Sequence, residues 1–246
     1  METVSVITGG GSGVGRALAR RLAGAGGRVL VVGRRRLALE ETAEGHDGIE
    51  VVAADIAEAA GRDSVATALG ERAVRYLVHN AGRLEPVGPL AGVSVGAWRA
   101  SQAVNVEAPL FLTQALLSRL PGGRVLHVSS GAAHRAIPGW GAYCTSKAAL
   151  YMLYTVLREE LRDRDIAVGS VRPGVVDTDM QALIREQDEA DFPAVARFRA
   201  LKEAGELEPP ERVAAFVEAV LTGTETAAFG AEEWDIREHA ARFGID

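Results

Sequence analysis

Cysteine is almost absent from this chain: Cys144 is the only one in 246 residues. A lone thiol closes no internal disulfide, so the fold must be held by its core. Aromatic residues are sparse, at 5%, and no stretch approaches the roughly 20 apolar residues of a membrane span. Lys and Arg number 27 against 33 Asp and Glu, a formal net charge of −6. No segment gathers lysines or aromatics into a stripe, which argues against a nucleic-acid partner and against a membrane one. No basic leader and apolar run precede the first strand-like pattern, Thr3-Val4-Ser5-Val6-Ile7, and the default expectation is a cytoplasmic protein. No His, Cys and carboxylate cluster has metal-ligand spacing, so no metal site is expected.

What is present is alternation. Short β-branched runs near Val4–Thr8, Arg28–Gly33, Ile49–Ala53, Arg75–His79, Arg124–Ser130 and Ile166–Arg172 are separated by Ala- and Leu-rich amphipathic segments. Those segments predict helices over about 14–24, 34–44, 61–71, 98–119, 142–162 and 209–221. Strands that are nearly all apolar are covered on both faces. Strand–helix alternation of this kind specifies an α/β fold: one doubly wound Rossmann domain, mostly parallel, with helices on both faces. No repeat or linker divides 1–246. Residues 178–208 break the rhythm, being charged, helical and interrupted by Pro193 and Gly205. An insertion after a late strand reads as a helical lid over a substrate site.

The first strand runs into Thr8-Gly9-Gly10-Gly11-Ser12-Gly13-Val14-Gly15. Glycines there let the backbone approach a pyrophosphate and aim its charge at a helix N-terminus. The second strand ends in Gly33 and then Arg34-Arg35-Arg36, where NAD-binding chains carry an acidic residue for the ribose 2′-hydroxyl. Cations at a helix start oppose the macrodipole, and a 2′-phosphate would compensate them. NADP(H) is therefore expected, with Arg34 as its first phosphate contact. A solvated turn with Arg36 paired to Glu40 is the plainer alternative. Asp55, past the third strand, is either an N-cap or an acceptor for the adenine amino group.

Tyr143-Cys144-Thr145-Ser146-Lys147 puts a phenol and an ammonium one helical turn apart on the same face. Unperturbed, they titrate near 10 and 10.4, and a nearby cation lowers the phenol toward working pH. Ser129-Ser130 and Asn80-Ala81-Gly82 close strands at the end where open α/β sheets bind ligands. Asn105 lies inside a long helix, where Asn is a poor helix former.

Taken with Pro173-Gly174-Val175-Val176-Asp177-Thr178, this series resembles the short-chain dehydrogenase/reductase family over about residues 3–231. The resemblance implies that Tyr143 is the general acid for carbonyl reduction and that Lys147 lowers its pKa and binds the nicotinamide ribose. It implies that Ser130 polarises the carbonyl and that Asn105 holds a water in a proton relay. The cofactor site it implies comprises Thr8, Gly9, Gly11, Ser12, Gly13, Val14, Gly15, Arg34, Arg35, Asp55, Ile56, Asn80, Ala81, Gly82, Tyr143, Lys147, Pro173, Gly174, Val176 and Thr178.

Gly139-Trp140, Met152-Leu153, Asp177-Thr178-Asp179-Met180-Gln181 and Asp235-Ile236-Arg237-Glu238 narrow the likeness to the sepiapterin reductase branch and its benzil reductase-like bacterial relatives. Ser12 stands where sepiapterin reductase has an arginine. The substrate contacts so implied are Ser130, Trp140, Tyr143, Met180 and Asp235, with Trp234 as a further wall.

The expected function is an NADPH-dependent carbonyl reductase acting on a dicarbonyl or aromatic ketone. Pterin reduction, 3-oxoacyl reduction and alcohol oxidation by the same residues are the alternatives. A silent NADP(H)-sensing protein is the alternative from another class. A second apolar face on the helices at 98–119 (Leu110, Leu112, Leu116, Leu117) and 142–162 (Leu150, Leu153, Tyr154, Leu157, Leu161) predicts a homodimer or homotetramer.

Overall fold

The computed structural model describes residues 3–245. Its sheet consists of β1 (Thr3–Thr8), β2 (Arg28–Gly33), β3 (Ile49–Ala53), β4 (Ala73–His79), β5 (Arg124–Val128), β6 (Ala167–Arg172) and β7 (Glu233–Asp235). The order is β3-β2-β1-β4-β5-β6-β7 and every pairing is parallel. The reversal of strand order between β1 and β4 is the point at which such sheets open a ligand crevice at their C-terminal edge.

Alternation along the strands divides the core in two. Ile7, Val29, Val31, Val78, Leu126 and Val171 pack on α1 (Gly13–Gly24) and α9 (Pro210–Gly223), whose Leu18, Leu22, Phe216 and Val217 are buried. Their neighbours Val6, Leu30, Val32, Leu77, Val125 and Val168 face the opposite layer. That layer is α3 (Ala59–Leu69), α5 (Ala108–Leu116) and α6 (Gly141–Glu160), contributing Val65, Leu69, Leu112, Leu116, Tyr154 and Leu157. The remaining helices are α2 (Arg36–Ala43), α4 (Val95–Gln102), α7 (Asp179–Arg185), α8 (Val195–Glu203), α10 (Thr226–Phe229) and α11 (Ile236–His239).

Three local expectations are corrected. The helix expected over 98–119 is α4, a π-helical turn at Ala103–Glu107, and α5. Pro109 has no amide hydrogen to return to the Asn105 carbonyl, and its ring crowds that carbonyl, so a regular helix cannot run through. Arg34 lies in a bend, Arg35 is the extended N-cap, and α2 starts only at Arg36. The argument from three cations opening a helix thus keeps Arg35 and Arg36 and loses Arg34. Finally, β7 is a strand that the alternation pattern does not reveal, pinned by pairing of Ser170, Val171 and Arg172 with Glu233, Trp234 and Asp235.

Residues 178–208 form α7 and α8, and the excursion is tied at its base. Val176 bridges Glu208, the Asp177 amide donates to the Glu208 carbonyl, and the Glu208 amide donates to the Val175 carbonyl. Lys202 adds an ion pair to Asp177 at 2.6 Å. Ile184, Phe192, Val195 and Phe198 bury against Trp140 and Tyr143 as a third apolar cluster.

Candidate active site

The C-terminal edge of the sheet holds a cavity of about 640 Å³. It is lined at one end by the glycine turn and the end of β2, and farther on by Ser129, Ser130, Tyr143, Lys147 and the inner face of α7 and α8.

The turn is built to leave amides free. Gly9 and Gly13 have φ of 67° and 51°, a region that costs other residues strain. A Cβ on Gly15 would lie 2.3 Å from the Gly9 carbonyl oxygen, so α1 can approach the turn only with glycine there. Its carbonyls are tied from behind: Thr42 Oγ1 donates to the Gly10 oxygen at 2.9 Å and Arg16 Nη2 to the Gly11 oxygen at 2.6 Å. Ser12 is the N-cap of α1, makes no side-chain capping bond, and is followed by no acidic residue in the first turn. An unneutralised helix N-terminus facing a cavity is a seat for an anion.

Thr8 and Gly15, expected as cofactor contacts, do not line the cavity; they frame it. Thr8 Oγ1 accepts from the amides of Asn80 and Ala81, both at 3.1 Å, and Asn80 Nδ2 donates to the Thr8 carbonyl at 2.9 Å. These bonds lock the ends of β1 and β4 together at the switch point. The other expected positions line the wall: Gly9, Gly11, Ser12, Gly13, Val14, Arg34, Arg35, Asp55, Ile56, Asn80, Ala81, Gly82, Pro173, Gly174, Val176 and Thr178. Asp55 accepts from the Ala57 amide at 3.0 Å, an Asx turn that holds its carboxylate in the loop. Arg36 pairs with Glu40 at 3.8 Å, as the plainer reading has it, and Arg35 approaches Asp179 at 3.4 Å. Arg34 has no carboxylate partner among the described residues. The cradle of free amides and this unpaired guanidinium fit a phosphorylated dinucleotide.

Tyr143 and Lys147 project from the first two turns of α6 and both are buried. Lys147 Nζ donates to the Val128 carbonyl at 2.8 Å and lies 5.7 Å from the Tyr143 ring centroid. Ser130 caps a short 3-10 turn, accepting from the Ala132 amide at 3.2 Å. Its hydroxyl also interacts with the Tyr143 phenol. The titration of the pair differs from expectation. Burial pushes the Tyr143 phenol up to about 12, with Ser130 pulling it back, instead of Lys147 drawing it down. Burial also pushes Lys147 down to about 8, against the pull of Glu233. At neutral pH the tyrosine is therefore a protonated acid.

The Asn105 side chain is bonded within the fold. Its Oδ1 accepts from the Arg83 amide and its Nδ2 donates to the Arg83 carbonyl, both at 2.8 Å, and Nδ2 donates again to Ser146 Oγ at 2.9 Å. With both amide hydrogens committed, the side chain positions the loop after β4 against α6. Gly82 benefits from that placement: a Cβ there would meet Asn105, Lys147 and Met180 at 3.7–3.8 Å, so glycine widens the cavity at the reacting end.

Trp140 and Met180 line the substrate end as expected. Trp140 stacks on Phe192 at 4.8 Å and meets Tyr143 edge-on at 5.7 Å. Trp234 and Asp235 do not line it. Trp234 is buried in the core on the α9 side and donates to the Phe229 carbonyl at 3.0 Å. Asp235 is fully buried, caps α11, and binds Arg237 at 2.5 Å and Arg172 at 3.3 Å, which holds its carboxyl below the usual range. It has no free oxygen facing a substrate. Glu233 was not singled out from the sequence. It accepts from Ser170 at 2.8 Å and contacts His134 at 2.6 Å and Arg172 at 3.2 Å, and only the pairing of β7 brings it there. Arg135 and Arg197, also unexpected, line the substrate end.

Known proteins resemble this chain in sequence and in fold. The family model for short chain dehydrogenases matches residues 3–189. A benzil reductase ((S)-benzoin forming) of Bacillus subtilis is 31% identical over 95% of this chain and 98% of its own. An L-xylulose reductase of Bos taurus is 32% identical over 72% of each chain. Among solved structures, a short-chain dehydrogenase/reductase of Saccharomyces cerevisiae superposes with a TM-score of 0.91 at 28% identity, covering 100% of both chains. An actinorhodin polyketide ketoreductase variant solved with NADPH gives 0.83 at 26% identity over 96% of this chain and 95% of that one. This chain belongs to the short-chain dehydrogenase/reductase family and is an oxidoreductase of that family.

Proposed function

We propose that this oxidoreductase is an NADPH-dependent carbonyl reductase acting on a dicarbonyl or aromatic ketone. The observation that carries it is the convergence of Ser130, Tyr143 and Lys147 on an aromatic-walled end of the cavity. When bound, the cofactor supplies the hydride that adds to the carbonyl carbon. Ser130 Oγ donates to the carbonyl oxygen and polarises it. Tyr143, held protonated by burial, delivers the proton to the same oxygen as negative charge develops there. Lys147 keeps its ammonium against the Val128 carbonyl, beneath the tyrosine, where the phenolate left behind needs a cation. Trp140, Phe198 and the rest of the α7–α8 lid exclude water from this end.

NADP(H) over NAD(H) is supported by unpaired Arg34 and by glycine at position 33. Reduction of an aromatic diketone is supported by the Trp140, Tyr143 and Phe198 ring cluster and by the Bacillus relatives. The oligomer is proposed to close over the outer faces of α5 and α6. There Phe111, Met152 and Val156 are exposed at 40%, 59% and 43%, whereas Leu112, Leu116, Leu150, Tyr154, Leu157 and Leu161 belong to the subunit's own core. The direct test is NADPH oxidation at 340 nm with benzil, phenylglyoxylate derivatives, a pterin and an acyl thioester. Turnover confined to the aromatic ketones supports the reading, and no turnover of any carbonyl refutes it.

A further inference from the structure

Charge around the cavity bears on what the ketone carries beside its carbonyl. The chain has a formal net charge of −6, yet among the described residues Asp55 is the single acidic one on the cavity wall, opposite seven arginines and Lys147. Most of those arginines are accounted for. Arg172 and Arg237 are paired with buried Asp235 and, for Arg172, also with Glu233, Arg83 lies 3.7 Å from Glu85, and Arg34 and Arg35 stand beside the glycine turn at the cofactor end. Arg135 and Arg197 remain. Both are exposed, and neither side chain has an ion pair or hydrogen bond among the described residues.

Their positions flank the reacting end. A Cβ built on Gly131, the residue after Ser130, would come within 3.0 Å of Arg135 Nη2, so that guanidinium lies against the loop that presents the polarising hydroxyl. Arg197 hangs from α8 of the lid, next to Phe198, whose ring lies 5.2 Å from that of Trp140. One cation comes from the floor and one from the roof, at an apolar, aromatic pocket. Guanidinium binds carboxylate through parallel charge-assisted hydrogen bonds.

We propose that the substrate is an aryl 2-oxo acid or a close analogue, an aromatic ketone with a carboxylate adjacent to its carbonyl, and that Arg135 and Arg197 bind the carboxylate. The proposal rests on the reductase reading above. In the reaction the ketone carbon gains a hydride from NADPH, the carbonyl π pair moves to oxygen, and that oxygen takes the Tyr143 proton. The products are a 2-hydroxy acid and NADP⁺, and solvent returns one proton to the tyrosine. The carboxylate keeps its charge throughout, so the arginines act on binding more than on the chemical step.

The experiment compares phenylglyoxylate with its methyl ester, as substrates of the native protein, of Arg135→Gln, of Arg197→Gln and of the double variant. Both side chains are exposed, so neither substitution threatens the fold. The native kcat/KM ratio of anion to ester is expected to be about 10 or more, and the double variant should lower it roughly 10²-fold, chiefly through KM, because each charge-assisted contact is worth about a factor of 10. A native ratio near one, or a ratio the double variant does not lower, overturns the proposal. Calorimetric binding of mandelate to the NADP⁺-loaded protein separates the two readings. Were neither ketone reduced, the reductase reading would fall, while arginine-dependent mandelate binding would keep the anion site and its absence would overturn that site too.

Discussion

Replacing Lys147 with methionine tests the electrostatic core of the site through stability alone. The ammonium is buried and its pKa is pushed from 10.5 to about 8. A base whose folded pKa is depressed binds fewer protons folded than unfolded between those two values, so stability rises with pH through that window and is lost as pH falls through 8. At 1.36 kcal/mol per unit the charged lysine costs the native state roughly 3 kcal/mol at pH 7, and roughly 2 kcal/mol of this is recovered between pH 8 and 10. Tyr143 opposes the trend only above pH 10, where its raised pKa makes the folded state hold a proton that the unfolded state releases. Urea unfolding of the cofactor-free protein at pH 7, 8, 9 and 10 reads the difference. The native curve is expected to gain roughly 2 kcal/mol on that of Lys147→Met between pH 8 and 10. Parallel curves would refute a desolvated ammonium at this position. Among the described residues no carboxylate touches that ammonium, which donates to the Val128 carbonyl.

Other consequences are as direct. Gly15→Ala places a Cβ 2.3 Å from the Gly9 oxygen, so it should cost roughly 1–3 kcal/mol in thermal or urea unfolding and abolish NADPH binding by fluorescence; unaltered binding would contradict the turn's role. Arg34→Gln should lower kcat/KM with NADPH about 10-fold or more through one lost charge-assisted contact, with little change for NADH, and equal losses with both would remove the 2′-phosphate assignment. Light scattering should show a dimer or tetramer that Met152→Glu with Val156→Glu dissociates, these two lying one turn apart on α6; a native monomer at micromolar concentration would end the oligomer proposal.

Much of this was legible because the relevant signals are local. Strand ends at Thr8, Gly33, His79 and Arg172 could be read from runs of β-branched residues meeting Gly, Asn or Pro, and the sheet topology places those ends together. The Tyr143 and Lys147 pair could be read from helical spacing. What escaped depends on distant parts of the chain. Strand β7 is three residues long with charge at both ends, and only pairing to β6 and burial of Trp234 make it a strand. Glu233 is therefore invisible as a partner for Ser170 until the fold is known. The π turn was readable in principle, since Pro109 follows Asn105 by four residues and must break a regular helix. The tyrosine's raised pKa was not readable, because spacing tells which cation is near and says nothing of how far both groups are desolvated. Asp235 shows the opposite error: a carboxylate near the expected place proved to be an internal cap and ion-pair partner.

The central claim is that Tyr143 gives the proton. Its most direct measurement is the single-turnover rate of NADPH oxidation with benzil at pH 7, native against Tyr143→Phe, which keeps the ring packed on Trp140 and removes only the hydroxyl. A fall of at least about 10²-fold with NADPH affinity retained is the expected result. A variant that reduces benzil at the native rate would contradict the account.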